Sequence, residues 1–304
     1  MSDQKRSALH HPALHDASLP AIELENVSVR YDQTIALEQI TLRLNRGDRV
    51  AVVGPNGAGK STLFHVIAGV VRPTEGQVRI YGSGPGGHIC VGYVPQRKVI
   101  DWDFPVTVTD VVMMGRVGKM GFLRWPARRD RAAVRAALDE VGMSAFADRQ
   151  IGELSGGQQQ RVFLARVLAQ EAELLLMDEP LTGLDMPSQE AILALIDRIQ
   201  QQGVTVMVAS HDLNQAGEQF PTLLLLNRRL VAFGPPDQVL TTPNLLAAYG
   251  GHMHVVHTGE GDMLLADTCC SEGAELLTPS LTHTTAPVVQ PVPQETVEGM
   301  RPPR

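Results

Sequence analysis

Nine consecutive residues constrain this chain more than any others: Gly54-Pro55-Asn56-Gly57-Ala58-Gly59-Lys60-Ser61-Thr62. The apolar run Val50-Ala51-Val52-Val53 precedes them and reads as a buried strand. Leu63-Phe64-His65-Val66-Ile67-Ala68 follows and reads as a helix ending at Gly69. Strand, glycine-rich loop, lysine, hydroxyl, helix is the context that a phosphate-binding loop requires. Gly57 and Gly59 let the backbone curl so that successive N–H groups face an anion, and the helix adds its positive end. Lys60 supplies a point charge for the outer phosphates, and the Ser61 hydroxyl is placed for Mg²⁺. The alternative is a glycine turn beside an incidental lysine, and the flanking strand and helix argue against it. The loop predicts a nucleoside-triphosphate pocket.

Composition narrows what surrounds that pocket. The chain has 304 residues, with 26 Lys and Arg against 33 Asp and Glu, and shows no dense basic run. That balance disfavours a nucleic-acid partner. Its three cysteines, Cys90, Cys269 and Cys270, make no disulfide framework and suit a reducing compartment. The first twenty residues are polar, without the apolar core of a signal peptide, and are expected to be a disordered leader. No run approaches the ~20 apolar residues of a membrane helix, so a soluble, cytoplasmic protein is expected.

Alternating residues over 22–27 and 40–44, with Gln77-Val78-Arg79-Ile80-Tyr81, predict a small antiparallel sheet beside the loop. Tyr31 falls between the first two of these strands, where its ring would stack on a base; ordinary packing is the blander alternative. The stretch from Gly82 to Gly87 lacks a following Lys-Ser pair and reads as a turn. Residues 97 to about 170 are helical in character, with Val134, Ala137, Leu138 and Val141 at helical spacing, Gly142 as cap, and a helix over 159–169. They interrupt a parallel α/β alternation that resumes with strands over 174–178 and 204–209 and a helix face of Ile192, Leu195, Ile196 and Ile199. A hairpin is expected around Asn227-Arg228-Arg229. Residues 251–304 carry few periodic apolar positions, end rich in proline and are expected to be mostly disordered.

Three further constellations carry chemistry. Asp178-Glu179 ends a buried strand, on the edge where parallel sheets bind ligands. There Asp178 can hold Mg²⁺, and Glu179 can orient and deprotonate an attacking water; a solvated strand-end pair is the alternative. Leu154-Ser155-Gly156-Gly157-Gln158 opens a helix and makes a second anion-binding terminus. Residues 54–62 already wrap one triphosphate, so this spare site suggests a nucleotide shared between two chains. Ser210-His211-Asp212 follows another strand, and His211 there can donate to a γ-phosphate or serve structure alone.

Together these residues resemble the nucleotide-binding subunit of an ABC transporter, over residues 21 to about 249. The resemblance implies an α/β fold: a P-loop NTPase (RecA-like) core with an antiparallel β subdomain and an inserted α-helical subdomain. It identifies Gln96 as the Q-loop residue, Leu154 to Gln158 as the signature, Leu174 to Glu179 as the Walker B strand, Asp185 as the D-loop residue and His211 as the switch histidine. It makes Tyr31 the adenine-stacking aromatic, and ATP and Mg²⁺ the ligands. It implies a head-to-tail homodimer in which Ser155, Gly156, Gly157 and Gln158 of one chain close over ATP on the other. Glu179 would be the general base, and Gln96 would sense Mg²⁺ and the membrane partner.

A narrower resemblance lies in Tyr93-Val94-Pro95-Gln96-Arg97, Asp101-Trp102-Asp103-Phe104-Pro105-Val106-Thr107-Val108 and Asp110-Val111-Val112-Met113-Met114-Gly115-Arg116. It is to the ATPases of bacterial manganese, zinc and iron importers. It implies a polytopic permease partner, indirect dealings with an extracytoplasmic metal-binding protein, and residence on the cytoplasmic face of the membrane. An ABC ATPase for another solute, or a soluble regulatory one, is the alternative. Trp102, Phe104 and Trp125 are expected to form an exposed docking cluster, Trp102 foremost; a small core of the insert's own is the alternative, more so for Trp125. His252, His254, His257, Cys269 and Cys270 offer soft-metal ligands, although their spacing matches no closed site. His65 and His88 read as structural.

Overall fold

The computed structural model describes residues 18–85, 90–120, 125–250, 253–258 and 261–266. Six strands form the central sheet: β3 (Arg49–Val53), β5 (Val91–Val94), β6 (Leu174–Asp178), β7 (Thr205–Ser210), β8 (Thr222–Asn227) and β9 (Arg229–Gly234). Their order is β5-β6-β7-β3-β8-β9, parallel except for the last strand. Both faces of this sheet are covered, which is why its strands read as unbroken apolar runs. Leu174, Leu176, Val50, Val52, Met207 and Ala209 belong to one core, and Leu175, Met177, Ala51, Val53, Val206 and Val208 to the other.

The first core is closed by α1 (Lys60–Ile67) and by a three-stranded antiparallel sheet of β1 (Ile22–Tyr31), β2 (Thr34–Leu44) and β4 (Glu75–Ile80), in the order β2-β1-β4. The second is closed by α2 (Val108–Met114), α4 (Arg128–Glu140), α5 (Gly156–Gln170) and α6 (Met186–Gln201), with the short α3 (Val117–Met120) between α2 and α4. Buried Arg116 fastens the insert together: its guanidinium pairs with Asp130 on α4 at 3.2 Å and Glu171 at 2.9 Å, and donates to the Ala169 carbonyl at 2.7 Å. The helices α7 (Leu213–Gln219), α8 (Pro236–Val239) and α9 (Thr242–Tyr249) complete the described α-helices.

One helix boundary changes. The signature helix begins at Gly156, not at 159, because Ser155 and Gln158 cap it reciprocally. A hairpin of β10 (Met253–Thr258) and β11 (Gly261–Ala266) occupies part of the extension expected to be mostly disordered. Residues 1–17, His88, His252 and 267–304 lie outside the described residues, as do Cys269 and Cys270.

The aromatic cluster does not present itself as expected either. Trp102 packs edge-on against Phe163 of α5 with ring centroids 5.7 Å apart, and its indole N–H donates to the Arg97 carbonyl at 3.0 Å. Its ring is taken up by the insert's own core, whereas Trp125 is 92% exposed and Phe104 is 57% exposed. His65 is structural, as expected, meeting the Tyr93 hydroxyl at 3.2 Å.

Candidate active site

Every predicted site residue from the sheet lies at the carboxyl ends of the parallel strands. The phosphate loop follows β3, Gln96 follows β5, Glu179 follows β6 and His211 follows β7. The register brings them level, for Asp178 pairs with Ala209 and Ala209 with Val52. A parallel sheet offers its ligands this edge.

The loop is shaped by close backbone approach. A Cβ on Gly54 would lie 2.0 Å from the Leu226 carbonyl oxygen, and one on Gly59 2.4 Å from that of Ala36. The Ala58 carbonyl accepts the Arg228 N–H at 2.8 Å, tying the loop to the β8–β9 turn. Helix α1 starts without a capping side chain, so its first N–H groups are left to an anion. Lys60 is buried, and its Nζ donates to the carbonyls of Gly54 at 2.8 Å and Pro55 at 3.1 Å. Burial pushes the ammonium's pKa below its ordinary value, against the opposing pull of the Glu179 and Asp178 carboxylates.

A cavity of about 340 Å³ opens over the loop; residues 56–62 form part of its lining, with Tyr31, Glu179 and Arg228 also on its surface. Tyr31 is half-exposed at the end of β1. The Ser61 hydroxyl donates to the Asp178 carboxylate, which burial pushes above its ordinary pKa and this hydrogen bond pulls back.

Glu179 stands at φ 48°, a left-handed conformation that costs a non-glycine residue free energy and recurs at functional sites. Its N–H donates to the Ala209 carbonyl at 3.1 Å. Three side chains converge on its Oε2: the Gln96 amide donates at 2.7 Å, the Thr182 hydroxyl lies at 3.4 Å and His211 Nδ1 at 3.9 Å. Glu179 and His211 also border a second cavity of about 140 Å³.

Two predicted elements are not brought to this edge within one chain. Ser155 and Gln158 spend their side chains on each other's backbone N–H groups, and residues 155–158 line neither cavity. Asp185 occupies the N-cap position of α6, is exposed and lines neither cavity. Sequence reasoning gave no site role to Thr182, inside the D-loop stretch 181–185, or to Arg228 of the hairpin turn. It also missed Arg97, whose Nε donates to Gln159 Oε1 at 3.1 Å and joins the residue after Gln96 to the signature helix.

Residues 37–182 match the family model described as ABC transporter. The manganese transport system ATP-binding protein MntB of Bacillus subtilis (strain 168) is 46% identical over 233 residues, covering 76% of this chain and 93% of that protein. The chain belongs to the ABC transporter ATP-binding family. This ATP-binding cassette is also 44% identical to the zinc transport system ATP-binding protein TroB of Treponema pallidum (strain Nichols) over 238 residues, 78% of this chain and 90% of that one. A solved inward-facing ABC transporter of metal-chelate type superposes with a TM-score of 0.69 at 32% identity, over 81% of this chain and 96% of that one.

The cassette is therefore a nucleotide-binding ATPase with a P-loop NTPase fold. The Ser61 hydroxyl and the Asp178 carboxylate touch, and both are hard oxygen donors of the kind that would fit Mg²⁺. Among the described residues no helix is long and apolar enough to cross a membrane.

Proposed function

We propose that this cassette powers a divalent-metal-ion importer, binding and hydrolysing MgATP between two copies of itself and driving a separate polytopic permease. The metal would be manganese, zinc or iron, delivered outside the cell by a metal-binding protein, with the cassette peripheral on the cytoplasmic face. The cargo reading rests on likeness to the manganese and zinc ATP-binding proteins along nearly their whole length.

The geometry supports the following site roles. Tyr31 stacks on adenine, and the N–H groups of residues 54–62 with the Lys60 ammonium take the phosphates. Ser61, Asp178 and Gln96 Oε1 would hold Mg²⁺, which neutralises charge on the β- and γ-phosphates when bound. Glu179 takes a proton from the water attacking the γ-phosphorus, and ADP leaves as the opposite bond breaks. The Gln96 and Thr182 donors and nearby His211 fix the carboxylate that does this. The observation that carries the reading is this convergence on Glu179 at the wall of the loop's own cavity. Ser155 to Gln158, idle in their own chain, close over the partner's nucleotide, with Asp185 at the same junction.

The test is accumulation of manganese, zinc and iron in a strain lacking this chain, complemented with wild type or Lys60→Ala. Wild type should restore uptake of one of the three and Lys60→Ala should not. Equal uptake of all three with either protein overturns the metal reading.

A further inference from the structure

Arg228 forms the tip between the paired residues Asn227 and Arg229 of the β8–β9 hairpin. Its N–H donates to the Ala58 carbonyl of the phosphate loop at 2.8 Å, and its own carbonyl accepts the Glu38 N–H at 2.8 Å. The residue is thus fixed to the loop and to β2 at once. Its φ of 57° is a conformation that glycine adopts freely and an arginine does not. Glycine would make both backbone bonds equally well, so what arginine adds at this place is its side chain.

That side chain is uncommitted. Arg228 is exposed, and among the described residues no ion pair or hydrogen bond engages its guanidinium, whereas the adjacent Arg229 is paired with Glu38. Arg228 also lines the 340 Å³ cavity over the phosphate loop, in which Lys60 is the other cation on the wall. Phosphate oxygens accept several charge-assisted hydrogen bonds at once, and a guanidinium fork matches them in pairs.

We propose that Arg228 is a further nucleotide-binding residue, its guanidinium taking the diphosphate common to ATP and ADP at the mouth of the cavity. This rests on the reading of the cavity as the nucleotide pocket. Calorimetric titration of the full-length protein with MgATP and MgADP tests it, using Arg228→Gly, Arg228→Lys and Lys60→Ala. Arg228→Gly should melt no earlier than wild type, because the strained conformation suits glycine. It should bind both nucleotides more weakly, by a similar factor on the order of 10-fold. Salt at about 0.5 M should shrink that difference, and Arg228→Lys should fall between. Arg228→Gly binding within about twofold of wild type, a loss confined to ATP, or a loss indifferent to salt overturns the proposal. If Lys60→Ala weakens binding while Arg228→Gly does not, this proposal alone fails. If neither weakens it, the reading of the cavity fails with it.

Discussion

Gly59→Ala isolates what the shape of the phosphate loop contributes. The added Cβ would lie 2.4 Å from the Ala36 carbonyl oxygen and 2.8 Å from Leu37 Cδ2, where ordinary contact begins near 3.4 Å. Strand β2 cannot give way, since Leu37 is fully buried and paired with Val29 of β1. The loop must therefore retreat by about 1 Å, carrying the adjacent Lys60 with it. A displacement of about 1 Å in a catalytic constellation costs on the order of 10²-fold in rate, or about 2.7 kcal/mol. The φ of +95° adds about 1 kcal/mol against folding. Steady-state ATPase assays should show kcat/KM lowered about 100-fold, with thermal melting lowered by only a few degrees. Gly47→Ala is the control: its φ is +74° and nothing lies within 4 Å of the added Cβ, so it loses stability alone. Gly59→Ala activity within about threefold of wild type, or an equal loss in Gly47→Ala, refutes the reasoning.

Two further outcomes follow from the insert. Arg116→Ala leaves Asp130, 2% exposed, without its cation and should cost about 3–5 kcal/mol in urea denaturation at pH 7. Burial raises the Asp130 pKa, but the Ala127 N–H and the Arg116 guanidinium outweigh it and hold the carboxyl below its ordinary value. The pair's stabilisation is therefore present above the unfolded pKa of about 3.9 and is lost as pH falls through the folded one. The penalty of Arg116→Ala should shrink on acidification, and a penalty unchanged down to about pH 3.5 contradicts this assignment. Trp102→Ala should cost about 2 kcal/mol through lost packing on Phe163. Trp125→Ala should stay within about 0.5 kcal/mol, and equal costs for the two tryptophans would overturn the burial assignment.

What the sequence disclosed was what is written in consecutive residues. The loop from Gly54 to Thr62, the Asp178-Glu179 pair and the apolar strands announce themselves locally, because strand, turn and helix each leave a short-range pattern. Two-sided burial of the sheet made residues 174–177 an uninterrupted apolar run, so the parallel core was legible too. Arg228 was invisible because its place at the cavity comes from two backbone bonds to residues distant in sequence, Ala58 and Glu38. Thr182 was missed for a similar reason: its relation to Glu179 depends on the turn that the left-handed Glu179 begins. The tryptophans were ranked in the wrong order because an aromatic residue carries no local sign of its partner. Phe163, which covers Trp102, lies on a helix some sixty residues further along.

The claim on which the account stands is that two copies of this cassette close over ATP, each completing the other's site with Ser155 to Gln158. Glu179→Gln removes the proposed base while keeping a side chain of the same shape beside Gln96, and should slow hydrolysis by about 10²–10⁴-fold. Sedimentation of that variant in saturating MgATP measures the claim directly. The account predicts a shift from one chain to two on adding MgATP, reversed by ADP. A variant that remains a single chain under saturating MgATP, or one that hydrolyses ATP at the wild-type rate, contradicts it.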